Sequence, residues 1–448
     1  MTKQNTKLEL LEHASVSKAL LAIGLPTMTG MMINALYNLV DAYYVSGLGT
    51  SQMGAIAVAF PIGQVIVGIG LLFGNGAASY ISRLLGQGNT GTAGSVASTA
   101  LYGSIAAGII TITLALIFLE PILVVLGATK SILPYAAAYG SIYVTSCIFN
   151  IFNVTMNNLA TSEGAAKTTM CALLSGALLN IVLDPVFIYG LNLGVAGAAI
   201  ATALSQIVSA IIYLFYIFNK RSIFSFRIRE CRFSKPVLSE IFKIGIPTLV
   251  FQLLTGLSIT LINTQAKAYG DSVIAGIGAV TRIISMGSLM VFGFLKGFQP
   301  VAGYNYGAGK YNRLHQAVRI SVIWSTIFCT VFGIVLALFA EIIVACFTSG
   351  DRQFIETGRR ALRAGGLSFV LFGFYTVYSF LYLALGKGKE GFILGACRQG
   401  ICFIPVILIL PEIWGVNGIL YAQSVSDVLS ALITVFMAVS LHKQLNIH

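Results

Sequence analysis

The feature that most constrains this chain is a succession of long apolar stretches parted by short polar breaks. A helix needs about 20 predominantly apolar residues to cross a bilayer, and stretches of that length recur from one end of the sequence to the other. They are continuous, without the alternation in segments of about 10 residues that marks barrel strands. The expected spans are 15–46, 54–85, 92–119, 132–161, 165–190, 194–219, 237–267, 273–304, 314–340, 354–385, 391–411 and 415–441. The fold class that follows is an all-α polytopic membrane protein with twelve transmembrane helices. Composition agrees: only 9% of the 448 residues are charged, against roughly 25% in soluble domains. So few charges cannot coat a globular surface, so lipid must solvate much of it. The 47 glycines suit membrane helices, which pack closely through small residues.

The first apolar run is too long for a signal sequence, whose apolar core is about 7–15 residues. The seven cysteines have no CxxC spacing and sit mostly in apolar runs, so they read as small buried hydrophobes. The net charge of +12 does not imply a nucleic-acid partner. Its densest cluster is Lys220, Arg221, Arg227, Arg229, Arg232, Lys235 and Lys243, between two apolar halves. That is how a cytoplasmic loop looks under the positive-inside rule. With the N-terminus inside, Lys3, Lys7, Lys18, Arg83, Lys167, Lys310, Arg313, Arg319, Lys387, Lys389 and Lys443 join that side. Lys130, Lys267, Arg352, Arg359, Arg360 and Arg363 fall outside. Both termini are therefore expected in the cytoplasm of a multi-pass protein of the plasma or inner membrane.

The chain also repeats itself in a gapless 221-residue register. Ile23-Gly24-Leu25-Pro26-Thr27 falls on Ile244-Gly245-Ile246-Pro247-Thr248, Gly86 on Gly307, and Gly194-Val195 on Gly415-Val416. Six spans per repeat is an even number, so both halves face the same way, a parallel repeat able to rock about a central cavity. The expected domains are a six-helix lobe over 1–221, a basic cytoplasmic linker over 222–236 and a second six-helix lobe over 237–448.

Ionisable residues within spans are costly and usually functional. Asp41 lies late in the first span, on one helix face with Asn34 and Asn38; Asp184 lies in the fifth, four residues after Asn180. In the sixth, Thr202 and Gln206 are four apart. Carboxylate, amide and hydroxyl oxygens suit a hard cation such as Na⁺. The same carboxylates, desolvated and close together, could instead carry a proton. The bland alternative makes Asp41 a water-facing helix-end residue and Asp184 a cap beside Pro185. Glu163 reads either as an exposed helix-end charge or as a gate, and Asp427 as a second proton carrier or a packing partner. For Arg282, Lys296 and Arg398 the bland reading is snorkelling to an interface. For Lys296, near the middle of its span, a cavity-facing role or a carboxylate partner is the better expectation. A substrate cavity is expected to draw on Asn34, Tyr37, Asn38, Gln64, Asn153, Met156, Asn157 and Met286. No GxxxxGK[ST] motif, dinucleotide fingerprint, metal spacing or catalytic cluster is present. The reading is thus a transporter without cofactor or ATP motor, not an enzyme.

These residues in combination resemble the multidrug and toxic compound extrusion (MATE) family. The resemblance is carried by the Ile-Gly-Leu-Pro opening and its echo, the Asn38–Gly49 run, Gly86-Gln87-Gly88, the Asn180–Pro185 run and the Gly194–Thr202 run. The Gln299–Ala308 segment is similar to a MepA-like bacterial branch. The resemblance implies two six-helix bundles around a V-shaped cavity. It implies export of small amphipathic, often cationic molecules by a monomer, driven by inward H⁺ or Na⁺. It also implies a cation site in the first lobe, matched here by Asp41, Asn180, Asp184 and Thr202, of which Asp41, Asn180 and Asp184 would hold Na⁺ if sodium is the coupling ion. A flippase for a lipid-linked precursor is the alternative; it would want a strongly basic cavity, for which Arg282, Lys296 and Arg398 are the candidates.

Overall fold

The computed structural model describes residues 9–347 and 351–445; Lys3, Lys7 and His448 lie outside them. Among the described residues the chain is helical throughout, with no strand. Twelve long helices follow one another: α1 (Val16–Ser46), α2 (Thr50–Gly86), α3 (Thr90–Ile117), α4 (Leu133–Ser162), α5 (Ala166–Pro185) and α6 (Gly194–Phe218) form the first half. The second half is α7 (Lys235–Ala266), α8 (Asp271–Gly307), α9 (Tyr311–Leu338), α10 (Arg352–Ala384), α11 (Gly388–Trp414) and α12 (Val416–Leu445). Each corresponds to one expected span. Eleven are long and apolar enough to cross a membrane by composition alone. The exception, α4, has the length at 30 residues but carries Asn150, Asn153, Asn157 and Asn158. Its C-terminal half is packed inside the protein, with Asn153, Asn157, Asn158, Thr161 and Ser162 all buried. Protein rather than lipid solvates that polarity.

The two halves pack alike. Within the first, α2 lies on α4, α1 on α5, and α6 on α4 and α5; α8 on α10, α7 on α11, and α12 on α10 and α11 repeat this in the second. Between halves, α1 meets α8 and α2 meets α7. Those are the two contacts that a two-fold relating six-helix bundles exchanges.

The repeated glycines sit where the bundles touch. A Cβ on Gly86 would lie 2.1 Å from the Tyr304 carbonyl oxygen, and one on Gly307 would lie 2.1 Å from that of Arg83. Gly76 and Gly245 cross in the same reciprocal way, against the carbonyls of Ile241 and Leu72, and a Cβ on Gly297 would lie 2.4 Å from the Gly24 backbone. Only a missing side chain lets these backbones come so close. Hydrogen bonds join the same region. Thr27 donates to the Gly293 carbonyl, Asn75 donates to the Thr248 hydroxyl, and Arg83 pairs with Glu240 at 2.8 Å. Further along α2 and α7, Gln252 donates to Gln64. Beyond that point Phe60 and Leu257 are exposed and Gly256 faces open space. The lobes are thus closed at the end that carries the termini and the basic loop, and they part toward the other.

The arginines at the start of α10 have local partners. Arg359 pairs with Glu341 at 3.6 Å, and Arg360 with Glu356 one turn before it.

Candidate functional site

Late in α1, Asp41 reaches Asp184 of α5, and the two carboxyl groups lie within hydrogen-bonding reach of each other. Asp184 is fully buried and Asp41 half-buried. Asp184 is not a terminal cap. The helix runs on through Pro185 as a π-helical turn, Val186–Gly190, so its carboxyl stays inside the bundle. Burial of Asp184 and its contact with Asp41 overturn the reading of the pair as a helix-end charge and a cap.

Asn180, one turn back on α5, donates to Asp184 Oδ1 at 3.2 Å and to the Thr202 hydroxyl of α6 at 3.4 Å. Tyr37 of α1 lies close to the Thr202 side chain. Asp41 of α1, Asn180 and Asp184 of α5 and Thr202 of α6 therefore converge, as the family resemblance implied. Their remaining oxygens matter most. Asp41 Oδ1, Asp184 Oδ2 and Asn180 Oδ1 are buried with no hydrogen-bond partner among the described residues. A buried unpaired acceptor costs about 1–3 kcal/mol, and more when charged. Two touching carboxylates add like-charge repulsion that a shared proton or a cation removes. All-oxygen donors suit a hard cation such as Na⁺, so the residues fit either ion.

Tyr139 and Tyr143 of α4 complete the wall and escaped the sequence reading. Their rings stack with centroids 5.5 Å apart, beside Tyr37 and the two aspartates. In sequence they are an aromatic pair at i, i+4, indistinguishable from one that faces lipid.

The other expected positions are scattered. Asn38 folds back onto Asn34, bonding its carbonyl at 2.7 Å. Gln64 bridges the lobes through Gln252. Asn153 donates to Gln206 Oε1 at 2.7 Å, and Asn157 donates to the Tyr213 hydroxyl at 3.4 Å. Met156 is fully enclosed in the core, and Met286 is half-exposed on α8.

Glu163 is not an exposed helix-end charge. It is wholly buried and accepts hydrogen bonds from Tyr216, from Ser222 and from the Ile223 amide at 2.6 Å. These bonds tie the end of α4 to the end of α6 and the start of the linker. Arg398 does not snorkel either. It is buried, pairs with Asp427 at 3.0 Å and lies 4.6 Å over the Phe372 ring. Asp427 also accepts from Ser368 at 2.9 Å, from Gln423 at 3.1 Å and from Tyr375 at 3.3 Å. The charges of Arg398 and Asp427 thus answer each other. Arg282 is exposed on α8. Lys296 bonds the Asn157 oxygen of the opposite lobe at 3.3 Å, and none of the ion pairs among the described residues includes it.

Comparison with known proteins agrees with this architecture. The MatE family model matches residues 26–186 and again 247–409, starting points in the register of the internal repeat. The multidrug export protein MepA of Staphylococcus aureus (strain MRSA252) is 30% identical over 445 residues, spanning 99% of this chain and 98% of that protein. MepA of Staphylococcus haemolyticus (strain JCSC1435) is 29% identical over 437 residues, spanning 97% and 96%. Among solved structures, the outward-facing conformation of a multidrug resistance MATE family transporter of the MOP superfamily superposes with a TM-score of 0.93 at 26% identity, covering 98% of this chain and 99% of that one. A MOP superfamily transporter from Pyrococcus furiosus gives 0.92 at 26% identity, covering 98% of each.

Proposed function

The chain belongs to the MatE family of multidrug and toxic compound extrusion transporters, and from that premise we propose that it is a cation-coupled antiporter. In this reading it is a monomer in the plasma or inner membrane with both termini in the cytoplasm. It exports small amphipathic molecules, often cationic, in exchange for inward H⁺ or Na⁺. The observation that carries this reading is the contact between Asp41 and Asp184 with three unpaired acceptor oxygens around it. Such a site gains most from one positive charge, and it lies within a single lobe.

Each residue then has a task. Asp41 and Asp184 share the incoming charge. Asn180 orients Asp184 and Thr202 and turns its own oxygen inward. Asp41 belongs to α1, so the state of the site is felt along that helix. Because α1 also packs on α8 of the other lobe, neutralising the carboxyl pair can bias how the lobes meet. With the lobes parted at the outer end, a cation reaches the site from outside while the substrate leaves. The flippase alternative gains little, since Arg398 is neutralised by Asp427.

The test is ethidium efflux by the purified protein in proteoliposomes, with a pH gradient or a Na⁺ gradient imposed separately. Asp41→Asn and Asp184→Asn should each abolish gradient-driven efflux while the protein stays folded and monodisperse. The gradient that drives the unmutated protein identifies the coupling ion. Efflux by both variants at the unmutated rate would sink the assignment.

A further inference from the structure

Lys296 projects from α8 into the closed interface between the lobes. Its ammonium donates to the Asn157 side chain at 3.3 Å, and none of the ion pairs among the described residues includes it. One turn further along α8, Gln299 is 4% exposed and its amide nitrogen has no hydrogen-bond partner among the described residues. The two side chains line one wall of a small cavity, whose other walls include Ser82 of α2 and Asn158 and Thr161 of α4.

The cavity carries one positive charge and one unpaired buried donor. The Ser82 and Thr161 protons are spent on carbonyls of their own helices, and the Asn158 amide nitrogen donates to Val154. Of the groups lining the space, the Gln299 amide nitrogen is the one buried without a partner among the described residues, one turn from the Lys296 ammonium. A charge held inside a membrane protein normally finds an opposite charge, and Asn157 offers only a dipole. Among the described residues no carboxylate forms an ion pair with Lys296. Two donors, one of them cationic, are instead the recognition set for an anion.

We propose that this cavity binds one small inorganic monovalent anion, chloride by size, between Lys296 and Gln299. The space holds little more than one water-sized species, which excludes an organic carboxylate or a transported drug. Since α2 and α4 belong to one lobe and α8 to the other, the anion cements the closed end. It is released when the lobes part there. The site is separate from the carboxyl pair of the first lobe and stands whatever ion that pair takes.

The test is equilibrium binding of radiolabelled chloride to the purified full-length protein in detergent. The expected result is close to one chloride per chain, displaced by bromide and not by gluconate. Halide should also raise the melting temperature above that in gluconate at equal ionic strength. Lys296→Met and Gln299→Leu should each weaken binding by about tenfold or more and lose the halide-specific rise. No binding by the unmutated protein, or binding by Lys296→Met equal to it, overturns the proposal. If Lys296→Met does not fold, Gln299→Leu decides alone, and unweakened chloride binding there is equally fatal.

Discussion

Asp427 and Arg398 make plain how differently two buried charges can be treated in one protein. In the second lobe the aspartate has an arginine at 3.0 Å and three further donors, so its charge is answered by the protein itself. In the first lobe the two aspartates face each other and leave oxygens unpaired. A satisfied pair is structural, whereas an unsatisfied pair waits for an ion. Removing one member of a buried ion pair costs about 3–5 kcal/mol, because the other is stranded. Asp427→Ala should therefore lower the melting temperature in detergent sharply or abolish folding. Asp41→Asn should leave it nearly unchanged. A melting temperature unaffected by Asp427→Ala would move that residue from the structural class to the functional one. The sequence listed both aspartates as buried acids; their partners, 29 residues away for Asp427 and on another helix for Asp41, were not legible in it.

At the scale of elements, glycine decides how close helices come. Gly307→Ala would put a methyl 2.1 Å from the Arg83 carbonyl oxygen, so α2 and α8 must separate. Overpacking of this kind costs about 1–3 kcal/mol, charged here against the conformation closed at that end. Spin-label distances between the ends of α2 and α8 should lengthen, and transport should fall. An unchanged distance distribution would refute the close crossing. The start of α10 offers a pH-dependent case. Asp351 caps that helix, accepting from the Gln353 and Phe354 amides, and accepts from Ser272 of α8 at 2.6 Å. The Ser272 hydroxyl, with those amides, holds its carboxyl below the usual carboxylate range. A depressed folded value means that the stabilisation is complete above the unfolded value of about 3.9 and is lost as pH falls through the folded one. The gap in melting temperature between the unmutated protein and Asp351→Ala should hold constant from neutral pH to about pH 5 and close below about pH 4. A gap that persists in acid would mean that the cap acts without its charge.

For the whole molecule, closure at one end is held by a few polar ties set among glycine crossings. The Arg83–Glu240 pair is part-exposed, and Lys243 adds a second contact to Glu240 at 3.5 Å. Pairs of this exposure are worth up to about 1 kcal/mol, a roughly fivefold change in a two-state population. Glu240→Gln should shift the lobes toward opening at that end by about that factor, read as a second population in the same spin-label distances. A single unshifted population would show the tie to be incidental. Weak ties are what a rocking transporter needs, since each must break once per cycle.

Only the family resemblance implied that Asp41, Asn180, Asp184 and Thr202 form one site; the sequence by its own patterns carried the number and order of the helices, their internal repeat and the same-face pairs within α1 and α5. It could do so because span length, glycine and proline register, and three- or four-residue spacing are local properties of a helix. It could not tell which polar side chains would find partners across helices. Glu163 was read as an exposed end or a gate and is a buried tie to the linker. Arg398 was read as snorkelling and is neutralised by Asp427. Tyr139 and Tyr143 were not singled out and stand beside the aspartates. In each case the deciding neighbour belongs to another helix, and the side-chain chemistry of a buried charge depends on who faces it. That information exists only once twelve helices are packed.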